Sequence, residues 1–169
     1  SSINRKISSL KAFYKFLLKT KQIQINPLSK HKSLKSPTKL QIPFSEKELD
    51  NVLNLIKYPD GFDGVRDKLV IDLFYATGIR RIELINLKMQ NVDLSNNTLK
   101  VLGKRNKERI LPILPIISQN LKIYIAERAN LELIKDRDYF FLTLKGVKLN
   151  ESFVYRLINN YFRGVTSKG

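Results

Sequence analysis

The chain contains no cysteine, which excludes disulfides, a thiolate nucleophile and cysteine-based zinc sites. It contains one histidine, His31, so a histidine cluster is excluded too, and the common soft-ligand metal sites lose their raw material. Any run of apolar residues long enough to span a bilayer is missing, and nothing resembles a signal peptide. A membrane partner is therefore not expected. The lack of cysteine fits a reducing cytoplasm, which is the location expected here. Acidic residues are absent from the first 45 positions, which hold Arg5, Lys6, Lys11, Lys15, Lys19, Lys21, Lys30, Lys32, Lys35 and Lys39.

What is present is a folded polycation. The 169 residues carry a formal net charge of +16, yet 43% of them are hydrophobic, too many for a disordered basic tail. Such a length fits one domain, or one domain with an appendage. Concentrated positive charge attracts polyanions with a salt-dependent affinity, and nucleic acid is the partner the charge favours. A merely solvated basic surface is the plainer alternative.

From Ile3, apolar residues recur at steps of three and four through Ile7, Leu10, Phe13, Tyr14, Leu17 and Leu18, predicting a helix. Lys11, Lys15 and Lys19 form a basic stripe beside them, read either as a nucleic-acid contact or as a solvated face. A helix that begins almost at the first residue suggests a piece of a longer protein. Pro27, Pro37 and Pro43 among serines and lysines mark residues 26–43 as a linker. Ser45 and Glu48, at capping-box spacing, open a second helical unit, so a module boundary is expected near residue 43.

Downstream, a helix through Val65, Leu69, Leu73 and Phe74 is expected to end at Gly78 with a positive φ, followed by a short helix through Glu83 and Leu87. Residues 98–102 and 109–114 read as a β-hairpin with a basic tip, and residues 139–143 as a candidate third strand. Residues 116–130 and 151–162 read as helices, with Tyr155 and Tyr161 assigned to core packing.

Two segments suggest chemistry. Thr77-Gly78-Ile79-Arg80-Arg81 puts a helix-ending glycine directly before two arginines, whose planar forks suit a phosphate. Glu83, three residues after Arg80, is placed to hold that fork, although an arginine pair at a helix start, taken alone, is more often a surface pair. At the hairpin tip, Lys104 is a candidate proton donor, its pKa lowered by neighbouring arginines. Arg105, Lys107 and Arg109 are candidate phosphate contacts, with a solvated hairpin edge as the alternative for Arg109.

Phe74-Tyr75-Ala76-Thr77-Gly78-Ile79-Arg80 with Glu83-Leu84, followed by Val101-Leu102-Gly103-Lys104-Arg105-Asn106-Lys107-Glu108-Arg109-Ile110-Leu111-Pro112, resembles the tyrosine recombinase (phage integrase) family, especially its Xer-like bacterial members. Residues 4–14 with Asn26-Pro27 are similar to the last helix of that family's DNA-gripping N-terminal domain. The resemblance implies an α+β, mostly helical catalytic module with a small antiparallel sheet, the DNA breaking-rejoining fold. It divides the chain into a clamp helix at 1–25, a linker at 26–43 and a catalytic domain at 44–169, incomplete at its C-terminal end.

The same resemblance makes Arg80 the first catalytic arginine, Glu83 its acidic support and Lys104 the donor of a proton to the leaving 5′ oxygen. Arg81, Arg105, Lys107, Arg109, Arg5, Lys11 and Lys15 become DNA contacts, with a swap of roles between Arg80 and Arg81 left open. The implied activity is site-specific cleavage and rejoining of DNA through a 3′-phosphotyrosyl intermediate, in assemblies with other recombinase protomers that form tetramers on DNA. The family's His-x-x-Arg box and nucleophilic tyrosine have no counterpart in these residues, so this piece by itself is expected to be inactive. A non-catalytic DNA- or RNA-binding protein is the alternative reading. It accounts for the charge but not for the joint occurrence of the two motifs.

Overall fold

The computed structural model describes residues 2–34, 45–103 and 107–163. The chain divides into two compact units, Ser1–Pro43 and Phe44–Gly169. Lys35, Pro37, Lys39 and Pro43 of the expected linker lie outside the described residues, as do Lys104 and Arg105 of the hairpin tip.

In the first unit, α1 spans Ser2–Lys19, as the three-and-four spacing predicts. The segment after it folds back on the helix. Asn4 donates from Nδ2 to the Leu34 carbonyl (2.8 Å) and accepts the Leu34 amide at Oδ1 (3.0 Å), while Lys11 Nζ donates to the His31 carbonyl (2.6 Å). Arg5 and Lys15 remain exposed. Lys11 is partly covered and engaged with the backbone, so it stands apart from the other cations of its stripe.

The second unit comprises α2 (Glu46–Leu55), α3 (Phe62–Thr77), α4 (Arg81–Ile85), a 3-10 turn (Met89–Asn91), β1 (Val92–Asp93), β2 (Thr98–Leu102), β3 (Glu108–Pro112), α5 (Pro115–Ala129) and α6 (Glu151–Phe162). The strands form one antiparallel sheet in the order β1-β2-β3. Leu99 and Val101 point into the core, with Lys100 and Leu102 on the outer face, the period-two alternation of a half-buried strand. The register sets Val101 opposite Arg109 and Leu99 opposite Leu111.

Residues 139–143 do not supply the third strand. They make only isolated bridges, Lys88 to Tyr139 and Leu142 to Lys148, and Val92–Asp93 takes the sheet edge instead. The physical reason is burial on every side: Phe140, Phe141 and Leu142 are all inaccessible to solvent, filling the core where a strand would alternate. The β1–β2 turn is closed by Asp93, whose carboxylate accepts from the Ser95 and Asn96 amides (3.0 Å each) and the Ser95 hydroxyl (2.6 Å). Those bonds, the Ser95 hydroxyl foremost, hold its pKa at about 2.

Tyr124 of α5 anchors the core. Its ring lies 5.2 Å from those of both Phe140 and Phe141, and its hydroxyl donates to the Phe140 carbonyl (3.1 Å) and accepts the Leu142 amide (3.0 Å). Burial raises its pKa to about 12. Tyr124→Phe keeps the ring but strands a buried amide and a buried carbonyl. Urea unfolding is expected to show a loss of about 1–3 kcal/mol.

Arg66 joins α3 to α6. Its buried guanidinium pairs with Asp63 and Asp67 and lies 4.7 Å from the centre of the Phe153 ring. The Tyr161 hydroxyl donates to Asp67 (3.1 Å), so Tyr161 packs as expected. Tyr155 does not. The inward stripe of α6 runs through Val154 and Leu157, which leaves Tyr155 61% exposed. No described helix is long and apolar enough to cross a membrane.

Candidate active site

The site begins where α3 stops. Gly78 adopts the left-handed conformation (φ 59°) that glycine enters without steric cost, and its amide bonds to the Phe74 carbonyl (3.1 Å). This ends α3 and turns the chain, so that Ile79 is buried and Arg80 becomes the extended residue preceding α4. Glu83 then reaches back to it. Glu83 Oε2 accepts the Arg80 amide (2.9 Å), and Oε1 accepts Arg80 Nη1 (2.8 Å). The Glu83 side chain is 1% exposed and that of Arg80 61%, so a buried carboxylate grips an arginine that faces solvent.

The two neighbouring arginines differ in their partners. Arg81 turns away from Glu83 and pairs with Glu151 at the start of α6, where both side chains are about half exposed. Such surface pairs contribute little to stability. Of these two, Arg80 is the one whose direction is fixed by a buried group.

A second arginine reaches the same carboxylate from the sheet. Arg109 Nη2 donates to Glu83 Oε2 at 2.8 Å. Expected as a DNA contact or a solvated edge, Arg109 instead lies on the inner face of β3, on the side of Leu111. The missed signal is the strand period. Arg109, Leu111 and Ile113 occupy alternate positions, and Ile113 is buried. Lys107 remains exposed beside the turn, while Lys100 pairs with Glu108 on the outer face (2.8 Å).

The neck of the hairpin meets this cluster. The Gly103 amide donates to the Lys107 carbonyl (2.7 Å), closing the turn that carries Lys104 and Arg105. A Cβ on Gly103 would stand 3.2 Å from the Lys107 oxygen and 3.5 Å from Glu83 Oε1, so the neck lies directly against the carboxylate. Arg80, Glu83, Arg109 and the base of the turn are thus one contiguous site.

One buried carboxylate serves two guanidiniums, leaving the cluster with a net positive charge suited to a phosphate. Burial by itself would raise the Glu83 pKa. The Arg80 amide and guanidinium bonds and the charge of Arg109 outweigh it and hold the group below its ordinary value of 4.5. A carboxyl with a lowered folded-state pKa stabilises the fold above its unfolded value and loses that contribution as pH falls through the folded one. The stability difference between wild type and Glu83→Gln is therefore expected to be constant above about pH 4.5 and to shrink below it. Denaturant unfolding from pH 3 to pH 7, about the range over which carboxyls titrate, checks this.

Two tyrosines of this unit, Tyr58 and Tyr161, lie in surroundings that hold the phenol protonated. Tyr161 is bonded to Asp67, and burial followed by the Asp67 charge pushes its phenol pKa upward. Burial foremost, with Asp72 and Asp67, raises that of Tyr58 to about 12. Both effects oppose the phenolate a nucleophile needs. Among the described residues no group of three or more His, Asp or Glu side chains is placed to hold a metal ion.

Comparison with known proteins places this geometry. Tyrosine recombinase XerC of Staphylococcus epidermidis is 35% identical over 160 residues, covering 95% of this chain and 53% of the relative. XerC of Staphylococcus carnosus is 31% identical over 169 residues, covering 98% of this chain and 56% of the relative. The chain thus spans about half the length of the curated relatives it matches. Among solved structures, the Tn1549 transposon integrase in complex with transposon right end DNA superposes with a TM-score of 0.76 at 22% identity, over 98% of this chain and 60% of that one. The XerA recombinase superposes with a TM-score of 0.63 at 23% identity, over 99% and 55%. These structural likenesses establish a mostly helical recombinase fold with a small antiparallel sheet. The family model described as the phage integrase family matches residues 43–167, nearly the whole of the second unit, and the chain belongs to that family.

Proposed function

We propose that the chain is the Arg80-containing part of a site-specific DNA recombinase, which breaks and rejoins DNA through a 3′-phosphotyrosyl intermediate. The observation that carries the reading is the buried Glu83 carboxylate aiming the exposed Arg80 fork beside the neck of the hairpin. In this role Arg80 neutralises the pentavalent phosphate, and Lys104 gives a proton to the departing 5′ oxygen. The nucleophilic tyrosine and the His-x-x-Arg box would lie outside these residues. No cofactor is required by this scheme, since the phosphotyrosyl link conserves the bond energy for rejoining.

Residues 44–169 take the part of the catalytic module, and residues 1–25, joined through 26–43, that of a clamp helix. Arg5, Lys11, Lys15, Arg81, Arg105 and Lys107 grip the DNA backbone. Arg109 has another occupation, since its guanidinium is committed to Glu83. Other protomers of the recombinase complete the assembly on DNA, in the cytoplasm. The XerH site-specific recombinase, 25% identical to this chain, has been solved bound to a palindromic difH substrate in a post-cleavage complex, which supports DNA as the partner here.

A chain that holds DNA by backbone charge is expected to bind duplex weakly, with an affinity that falls steeply as salt rises, by about 0.9 log unit per log unit of salt for each phosphate neutralised. Fluorescence anisotropy across a salt series measures this slope. An affinity flat from low to physiological salt would contradict binding by backbone charge, and a marked preference for RNA over duplex DNA would favour the non-catalytic alternative.

A further inference from the structure

Among the described residues the Glu83 carboxylate has three close donors for its two oxygens, and two of these donors belong to Arg80. The third, Arg109 Nη2, comes from β3, 26 residues further along the chain. β3 and β2 are the two arms of the hairpin whose turn closes at Gly103 and Lys107. The same carboxylate therefore ties the loop before α4 to the sheet. We propose that Arg109 is a positioning residue, which through Glu83 locks the hairpin neck at Gly103 and Lys107 and the Arg80 guanidinium into one rigid unit and so holds Arg80 in its working direction. This role rests on the recombinase reading of the site.

Charge and exposure favour this over a simple DNA contact. An arginine that grips backbone needs its fork in solvent, yet the Arg109 side chain is only 38% exposed and spends an Nη group on a carboxylate that is 1% exposed. Lys104, Arg105 and Lys107 are the cations of the turn itself, and Lys107 is exposed. Among the described residues, removing Arg109 leaves Glu83 with the bonds from Arg80. The carboxylate then still faces Arg80 but loses its ion pair with β3.

The test compares Arg109→Gln, Arg109→Lys, Glu83→Gln and the double variant in the complete protein, with three readouts: single-turnover cleavage of duplex DNA, DNA affinity over a salt series, and the carbon-13 titration of the Glu83 carboxyl. Arg109→Gln is expected to slow cleavage by about 10- to 100-fold, the usual effect of losing a group that orients a functional one. It should leave the affinity and its salt slope as in wild type, and move the Glu83 titration upward. Arg109→Lys, which keeps the charge, should restore most of that titration and part of the rate. In the Glu83→Gln background, Arg109→Gln should add no further loss, because the two residues act as one coupled pair.

Equal losses of binding and cleavage, with a salt slope lower by about one, would make Arg109 a DNA contact and overturn the proposal. Strictly additive effects of the two substitutions would overturn it as well. If the wild-type protein cuts no duplex, the recombinase reading fails, and the titration then decides the structural claim. A Glu83 midpoint unchanged by Arg109→Gln would end it.

Discussion

Lys104→Ala in the complete protein is expected to slow cleavage of ordinary DNA by about 10² to 10⁴, the range spanned by general acids, while DNA binding falls only slightly. The turn keeps Arg105 and Lys107, so one lost cation removes about one contact from the salt slope. Proton delivery has no substitute among them, because guanidinium does not give up its proton near neutral pH and Lys107 lies on the far side of the bond that closes the turn. A substrate whose 5′ leaving atom is sulfur departs without a proton. On that substrate the variant should recover much of the wild-type rate. Equal defects on oxygen and sulfur substrates would reduce Lys104 to a DNA anchor.

Arg80→Ala should lower cleavage by about 10² to 10³, as the loss of a donor preset for a charged transition state does. The effect should be far larger than that of Arg81→Ala. The geometry explains the difference between two adjacent arginines. Arg80 is aimed by a carboxylate that water does not reach, whereas Arg81 shares an exposed pair with Glu151 and keeps its rotameric freedom. Arg80→Ala should also leave the fold intact, since its side chain is mostly exposed and Gly78, Ile79 and Leu84 shape the turn without it. Rates under single-turnover conditions, with unfolding curves of each variant alongside, measure both claims. A larger defect for Arg81→Ala would reverse the assignment.

Helices α1, α2 and α6 were legible because each carries a one-sided apolar stripe that only a helix makes continuous. The hairpin was legible for the corresponding reason, a period of two on either side of a polar turn. Val92–Asp93 was not. Two residues are too short to show any period, and their pairing depends on the Asp93-capped turn and on β2 being already in place. Residues 139–143 misled in the opposite way: Phe140, Phe141 and Leu142 have a strand-like composition, but Tyr124 binds that backbone and holds it as a core-filling segment.

At the site, the Arg80–Glu83 pairing was visible as a spacing of three, and the structure adds its cause. Arg80 precedes the helix rather than standing on its face, and Glu83 reaches back to bind both its amide and its fork. The commitment of Arg109 to Glu83 was hidden because a charged residue in a basic run reads as solvated. Its alternation with Leu111 and Ile113 is the pattern that places it inward. Tyr155 was assigned to the core on helical spacing alone, and its one-residue offset from Val154 turned it to solvent.

The central claim is that Arg80, held by Glu83, serves an enzyme that joins itself to DNA. The most direct measurement is denaturing electrophoresis of the complete protein incubated with duplex DNA labelled on the strand that retains the 3′ phosphate. The expected result is a slower band that survives denaturant, disappears on proteolysis, leaves a free 5′ hydroxyl on the other fragment and is nearly lost in Arg80→Ala. Strand breakage with no protein-linked intermediate, or an adduct formed equally well by Arg80→Ala, would contradict it.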